Sequence, residues 1–271
     1  MILLALLLMT AGQPDEPLDW APPPTAEERD AAERLLAAET PDAIRDAAEA
    51  ALKTLGDDNP SASTLRAAAG SGERADAESA AESLTFRPRM EAALAEGYPN
   101  PTRVNAIEVK TLPAYRMAVT SMQDRGDDRA FWSLFGHIQK EGIAMTTPVR
   151  MDYGEAASGD DPSTVQMAFL YRRPTMGTLG DDAALPVEVV DVPPQTVASI
   201  GLRGSSDDDE AIRDAAAKLR EWVAADGSYA IDGPMQVNGY NGPMTPVDQR
   251  IAEVQLPVRK VESAESAESA E

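Results

Sequence analysis

The chain has 271 residues, of which 43% are hydrophobic and 26% charged, and its formal net charge at pH 7 is −22. This composition is typical of a globular protein with one large domain or two smaller ones. The acidic charge argues against nucleic acid as a partner, because binding to phosphates needs clustered Lys and Arg. The chain has no cysteine and one histidine, which excludes disulfides, zinc-thiolate sites, thiol nucleophiles and metal sites with several imidazoles.

Residues 1–12 are mostly apolar. The run is too short to span a bilayer, which needs about 20 residues, so we expect no membrane span. The small residues Thr10 and Gly12 suit cleavage before Gln13, and we therefore expect a signal peptide and an exported protein, periplasmic or secreted. An ordinary apolar N-terminus on a cytoplasmic protein is the alternative. The prolines that follow predict an extended linker over residues 13–24.

Residues 25–97 predict an acidic, alanine-rich helical segment. Thr25 and Glu28 have the spacing of a capping box, and Thr40 before a proline is typical of a second helix start. Further helices are predicted near residues 63–69, 74–84 and 87–96. Their apolar faces are mostly alanine and bury little area, so we interpret the segment as a loosely packed spacer rather than a binding domain.

Residues 104–260 predict a separate domain that contains most of the β-branched and aromatic residues. After Val104 the pattern predicts a strand pair turned at Pro113 and a helix capped by Asp127 or Asp128. The other predicted elements are strands at 143–151, 164–172, 187–193 and 195–202, a helix from Ser206, and strands at 229–237 and 250–258. The tail, residues 261–271, has four Glu and no base, and its low complexity predicts disorder.

Two stretches of this domain are similar at positions 80 residues apart. Residues 107–109 (Ile-Glu-Val) match residues 187–189 (Val-Glu-Val), and Pro113 matches Pro193. A fixed offset indicates two copies of one supersecondary unit, here ββαββ. Because such units cannot bury their sheets alone, we predict an α+β fold: a distorted antiparallel β-barrel from two ββαββ repeats with two packed helices, preceded by the N-terminal alanine-rich helical segment.

Three motifs of residues 104–260 resemble those of a known family. They are residues 131–139 (Phe-Trp-Ser-Leu-Phe-Gly-His-Ile-Gln), residues 143–149 (Ile-Ala-Met-Thr-Thr-Pro-Val) and the loop 239–246 followed by Arg250. With these motifs the domain resembles the SOUL haem-binding protein family. The resemblance implies a distorted barrel and, as ligand, haem or another flat apolar tetrapyrrole, held in a shallow groove beside the first domain helix and near the loop before the last strand.

The resemblance also bears on iron ligation. In some family members a histidine of the first strand pair is the proposed iron ligand. The matching position here lies near Thr111, so this chain departs from those members. His137 is then the one imidazole that the chain offers as an iron ligand.

The first domain helix carries two candidate ligand-binding residues, Trp132 and His137. Apolar residues at i, i+3, i+4 and i+7 form one stripe that should face the sheet. Trp132 and His137 lie to either side of this stripe, so we expect His137 at the boundary or on the surface. It is either a haem-iron ligand or a solvated histidine without a role. The stripe consists of Phe131, Leu134, Phe135 and Ile138.

The loop before the last strand supplies three more candidates. Tyr240 has a ring that suits stacking on a flat ligand or packing with its hydroxyl bonded. Met244, held between two prolines, is a candidate groove wall. Arg250 suits a haem propionate, and an internal ion pair with Glu253 or a neighbour is the alternative.

We therefore expect a haem- or tetrapyrrole-binding protein that is not an enzyme. A single histidine gives no basis for a nucleophile–histidine–acid arrangement. A non-catalytic interaction or scaffold module on the same fold, without haem, is the alternative; there the helical segment and the acidic tail would make the contacts.

Overall fold

The computed structural model describes residues 21–89, 91–122, 126–154 and 164–261, apart from the side chains of residues 126 and 127. These residues form an α+β protein with six α-helices and ten antiparallel strands. The predicted signal peptide, most of the linker, the acidic turn after Gly154 and the tail lie outside the described residues. None of the helices within the described ranges combines the length and apolar character that a membrane crossing needs.

Four helices make up the N-terminal part, and the first two begin at the predicted caps. The Thr25 hydroxyl accepts a hydrogen bond from the amide of Glu28, and the Glu28 carboxylate accepts one from the amide of Thr25, which is a capping box. The Thr40 side chain accepts from the amide of Ala43. The helices are α1 (Ala26–Ala37), α2 (Pro41–Leu55), α3 (Ala62–Ser71) and α4 (Arg74–Thr85).

These helices share a core of their own. Leu35, Leu65 and Leu84 have no exposed surface, and buried alanines fill the space between them. Small side chains let helix backbones approach closely, so the segment is a packed unit rather than the loose spacer that we expected. The predicted helix over 87–96 is wrong, because the chain leaves α4 at Thr85 and continues without helix.

The sheet contains all ten strands of the described residues. Its order is β1-β7-β10-β9-β3-β4-β2-β6-β5, with β8 paired to β10. This order is an open path, so the sheet is not closed into the predicted barrel. The strands are β1 (Ile107–Leu112), β2 (Tyr115–Ser121), β3 (Val149–Tyr153), β4 (Thr164–Leu170), β5 (Gly180–Asp181), β6 (Glu188–Val192), β7 (Gln195–Arg203), β8 (Tyr229–Ile231), β9 (Gln236–Gly239) and β10 (Ile251–Lys260).

Two long bent strands organise the sheet. Strands β1 and β2 are separated only by residues 113–114, and β6 and β7 only by residues 193–194. The register continues across both prolines, since Leu112 pairs with Gln195 and Tyr115 with Val192. In one half of the sheet β2 pairs with β4, and in the other half β7 pairs with β10 in the same way. Strands β3 and β9 pair with each other and join the two halves. The ββαββ repeat itself stays a prediction.

Two helices, α5 (Gly126–Lys140) and α6 (Asp209–Asp226), pack on one face of the sheet. Strand side chains alternate between faces: Ala118 packs in the α5 cluster, whereas Met117 and Val119 pack on the opposite face. We call the helix-covered side the outer face and the other side the inner face.

The inner face is covered by residues 91–105, which we call the crossing segment. Leu94 and Tyr98 are buried against Tyr115, Met117 and other inner-face residues. Backbone hydrogen bonds fix the segment at both ends: the amide of Thr147 donates to the carbonyl of Ala93 (3.0 Å), and the amide of Asn105 donates to the carbonyl of Gly201 (2.8 Å). The chain's own backbone therefore closes the inner face.

Three predicted elements of this domain differ in extent. Residues 143–148 are not a strand, and β3 begins only at Val149. The predicted strand 229–237 is divided into β8 and β9 by residues 232–235. Helix α6 is capped by Asp208, whose side chain accepts from the amide of Ala211, rather than by Ser206.

Candidate functional site

His137 is buried inside the domain, with 4% of its surface exposed. The prediction of a boundary or surface position is therefore wrong. Its Nδ1 lies 2.7 Å from Oδ2 of Asp182, and its Nε2 lies 2.7 Å from the hydroxyl of Tyr171. Since both ring nitrogens have protein partners, an iron ion would have to break one of these contacts to reach the imidazole.

Asp182 organises this buried group. Its carboxylate accepts from Lys140 (3.0 Å) and from the amides of Ala184 and Leu185 as well as facing His137. Hydrogen bonding to His137, to the Ala184 amide and to Lys140 holds the pKa of Asp182 well below its usual range. Burial raises the pKa of Tyr171 to about 12, so its hydroxyl stays protonated and forms a neutral hydrogen-bonding partner for Nε2. His137, Asp182 and Tyr171 thus form a buried hydrogen-bonded cluster whose role is to stabilise the fold.

Trp132 lies on the outer surface of α5, with 44% of its surface exposed. Its ring stands edge-on to Phe131 and Phe135, with centroids 5.6 Å away in each case. Phe131 in turn packs edge-on against Phe169 of β4 at 5.3 Å. The stripe is buried as predicted at Leu134, Phe135 and Ile138, and the indole is the part of this aromatic cluster that remains open to a ligand.

Tyr240 is buried on the inner face rather than in a groove. Its hydroxyl donates to Oε2 of Glu253 at 2.6 Å. Burial and the charge of Glu253 raise the pKa of Tyr240 well above its usual value. Of the two interpretations left open, the packed tyrosine with a bonded hydroxyl is the one that the structure supports.

Glu253 is the centre of a buried polar network and has no exposed surface. Its Oε1 accepts from Lys110, from the Thr102 amide and hydroxyl, and from the Ser199 hydroxyl. Burial alone would raise the pKa of this carboxyl, but the Lys110 ammonium and these hydrogen bonds outweigh burial and lower the pKa to about 2. Glu253 is therefore ionised and joins β10 to β1, β7 and the crossing segment.

Arg250 and Met244 lie on the loop between β9 and β10. The Arg250 guanidinium donates to the carbonyls of Thr245 (2.7 Å) and Pro243 (2.7 Å) and to the Ser205 hydroxyl (3.3 Å). It therefore holds the loop. Among the described residues it makes no ion pair, so the alternative of an ion pair with Glu253 or a neighbour is wrong. Met244 is 50% exposed at the tip of this loop.

The five candidate residues thus do not form one constellation. Trp132 and Met244 present apolar surface to the outside, whereas His137 and Tyr240 are buried in two different clusters. The Arg250 guanidinium is hydrogen-bonded to carbonyls of the loop on which it lies. In the described part of the chain, His, Asp and Glu side chains form no group of three that would suit a metal ion.

Sequence reasoning missed a cavity of about 320 Å³ between the N-terminal helices and the inner face. Its walls combine prolines with charged side chains from the stretch after α4, the crossing segment and β1. They include Phe86, Arg87, Pro88, Pro99, Pro101, Arg103, Val104, Glu108, Lys110 and Ile251. No periodic pattern links these positions, since they come from four separate stretches of the chain.

The fold defines a single-sheet α+β domain with two helices on the outer face and a covered, largely apolar inner face that contains the buried polar network of Glu253. The sequence profile of the SOUL heme-binding protein family matches residues 97–257, which is more than half of the chain. The chain therefore belongs to the SOUL heme-binding protein family. Among curated proteins, no sequence matches it significantly.

Several solved structures are similar to part of the chain. The C-terminal domain of EcmrR is 17% identical, with a TM-score of 0.43, covering 57% of this chain and 98% of that chain. An uncharacterized conserved protein from Listeria innocua is 13% identical, with a TM-score of 0.44 over 58% and 93% of the two chains. A hydrolase from Listeria innocua is 13% identical, with a TM-score of 0.42 over the same shares. At these TM-scores the likenesses carry no argument about function.

Proposed function

We propose that this protein binds haem or a related tetrapyrrole without histidine ligation of the iron. Membership of a family named for heme binding supports the class of ligand. The environment of His137 supports the second part, because its two ring nitrogens already face Asp182 and Tyr171. The chain has no other histidine.

The observation that carries the proposed location is the exposed indole of Trp132. Its ring is supported edge-on by Phe131 and Phe135, so it keeps its orientation without a ligand. A flat aromatic ligand that stacks on an already oriented ring loses less conformational freedom on binding. In this proposal the ligand lies along the outside of α5.

The test is a pair of titrations of the full chain, one with hemin and one with iron-free protoporphyrin IX. We expect saturable binding of both, with a shifted Soret band and dissociation constants within about threefold of each other, since no iron–histidine bond contributes to either.

Two results would contradict the proposal in different ways. Spectra identical to free hemin and free protoporphyrin throughout would remove tetrapyrrole binding and leave the interaction or scaffold module. Hemin bound more than about tenfold tighter than protoporphyrin would mean that the protein ligates the iron.

A further inference from the structure

The cavity at the junction of the helices and the sheet has the size and walls of a small-molecule site. Its volume of about 320 Å³ lies within the range of ligand pockets, about 300–1,000 Å³. One wall is apolar and stiff, formed by Phe86, Pro88, Pro99 and Pro101. The Arg203 guanidinium packs on the Phe86 ring at 4.9 Å, which fixes the orientation of that ring.

Arg103 supplies the hydrogen-bonding capacity of the cavity. Its side chain is 18% exposed, and its closest charged partner, Oε1 of Glu28, is 3.8 Å away. Within the described ranges this loose ion pair is accompanied by no hydrogen bond from the guanidinium. Burial lowers the pKa of Arg103. The guanidinium carries five N–H donors, and none of its nitrogens is both fully buried and without a partner, so the donors are open to water or to a ligand.

The other charges around the cavity are already matched. Arg87 donates to the carbonyls of Pro22, Leu84 and Phe86 and to the Glu28 carboxylate. Lys110 donates to Glu253 and to the carbonyl of Asn100, and it lies 3.3 Å from Glu108. Three carboxylates, Glu28, Glu108 and Glu253, face these three cations, so attraction for an anion depends on free N–H donors rather than on an excess of positive charge. Arg103 is the cation among them that has unmatched donors.

The backbone of Arg103 is held in a fixed place. Val104 pairs with Gly201 of β7, and a Cβ atom at position 201 would lie 2.3 Å from the Thr102 carbonyl oxygen and 2.4 Å from that of Arg103. Only glycine permits this approach of two backbones. The side chain of Arg103 therefore starts from a fixed backbone position at the edge of the cavity.

We infer that this cavity binds a small carboxylate with an aromatic or alicyclic body. The planar guanidinium of Arg103 pairs with the carboxylate in a two-pronged contact, while the ring system fills the space between Phe86 and the prolines. The site is separate from the surface around Trp132 and does not depend on tetrapyrrole binding.

The experiment compares 1-naphthoate with 1-naphthylmethylammonium, which carry the same ring system and opposite charges, by isothermal titration calorimetry on the full chain. Saturable heat is expected for the carboxylate alone. Arg103→Gln should weaken naphthoate binding about tenfold or more, because it removes a charge-assisted contact, and Arg103→Lys should restore part of the affinity.

Arg259→Gln is the matched control. Arg259 also has a loose ion pair, 3.8 Å from Asp232, but it is exposed and far from the cavity walls. Naphthoate affinity unchanged in this variant and reduced in Arg103→Gln supports the site, provided that both variants melt within a few degrees of the parent. Equal affinities of the parent and Arg103→Gln, equal binding of the ammonium probe, or no saturable heat with the parent would overturn it.

Discussion

The hydroxyl of Tyr171 lies 2.7 Å from Nε2 of His137, and the two rings stack with 14° between their planes. Asp182 faces the other ring nitrogen at the same distance. The imidazole therefore connects β4, α5 and the segment before β6. Replacing His137 should therefore lower the free energy of unfolding and have little effect on ligand affinity.

We expect His137→Ala to lower the free energy of unfolding by about 1–3 kcal/mol, because the buried Tyr171 hydroxyl loses its hydrogen-bond partner. Hemin affinity should stay within about twofold of the parent value, since the iron has no bond to this residue. Urea unfolding and Soret titration measure the two quantities. Lys140→Gln is the control: it removes a half-exposed partner of Asp182 and should cost less than about 1 kcal/mol. Lost hemin binding in a variant of parental stability would contradict this.

Trp132→Ala should weaken tetrapyrrole binding by about threefold to tenfold, the loss expected for one aromatic stacking partner. Stability should change little, because the indole is largely exposed. Leu36→Ala serves as control, since Leu36 is 46% exposed on α1 and lies outside the sheet domain. Equal hemin affinity of the two variants would move the ligand away from α5.

Acid should destabilise the protein through Glu253. The pKa of this carboxyl is lowered from 4.5 to about 2 in the folded chain, so the unfolded chain binds the proton more readily. Glu253 therefore contributes its full stabilisation above about pH 4.5 and loses it as the pH falls towards 2. Urea unfolding at several pH values should show this decline.

Glu253→Gln should remove part of that pH dependence and lower stability at neutral pH by about 3–5 kcal/mol, because Lys110 stays buried without its partner. If the single variant does not fold, the paired replacement Lys110→Met with Glu253→Leu keeps the test open. The double variant should fold, because neither charge is left buried without a partner, and it should lack the decline in stability below about pH 4.5. An unchanged pH profile in a folded variant would contradict the assignment of the decline to Glu253.

Gly201→Ala should displace the crossing segment, because its Cβ would overlap two backbone carbonyl oxygens that cannot rotate away. We expect a loss of about 1–3 kcal/mol or more in the free energy of unfolding. Gly70→Ala, in α3 with open space around the added methyl, should be neutral or stabilising by up to about 1 kcal/mol. Similar urea midpoints of the two variants would mean that the contact between Gly201 and the segment is not needed.

The sequence predicts features that depend on neighbours along the chain. The capping residues Thr25 and Thr40 and the buried stripe of α5 follow from local spacing, and the structure has them as expected. Residues 143–148 read as a strand from their apolar character. Their edge is instead taken by the crossing segment, whose Leu94 pairs with Thr147, and a local pattern holds no information about that partner.

The candidate site shows the same limit. Helical geometry gives the angle of His137 from the stripe but not the loop that covers it, whose Asp182 is 45 residues away. Likewise, Arg103 and Phe86 become neighbours of one cavity only because the helical unit packs on the sheet. Burial and the matching of polar groups are tertiary properties, and they decide which residues remain free for a ligand.

The Glu28 carboxylate links the cavity to the beginning of α1. Its carboxylate accepts from the amide of Thr25 and from Arg87, and it is the loose partner of Arg103. A carboxylate bound at Arg103 competes with Glu28 for that guanidinium, so occupancy of the cavity and fraying of the first helical turn are linked equilibria. By reciprocity, each changes the other by the same factor. Amide hydrogen exchange at Glu28 and Arg29 would thus report on a ligand that touches neither amide.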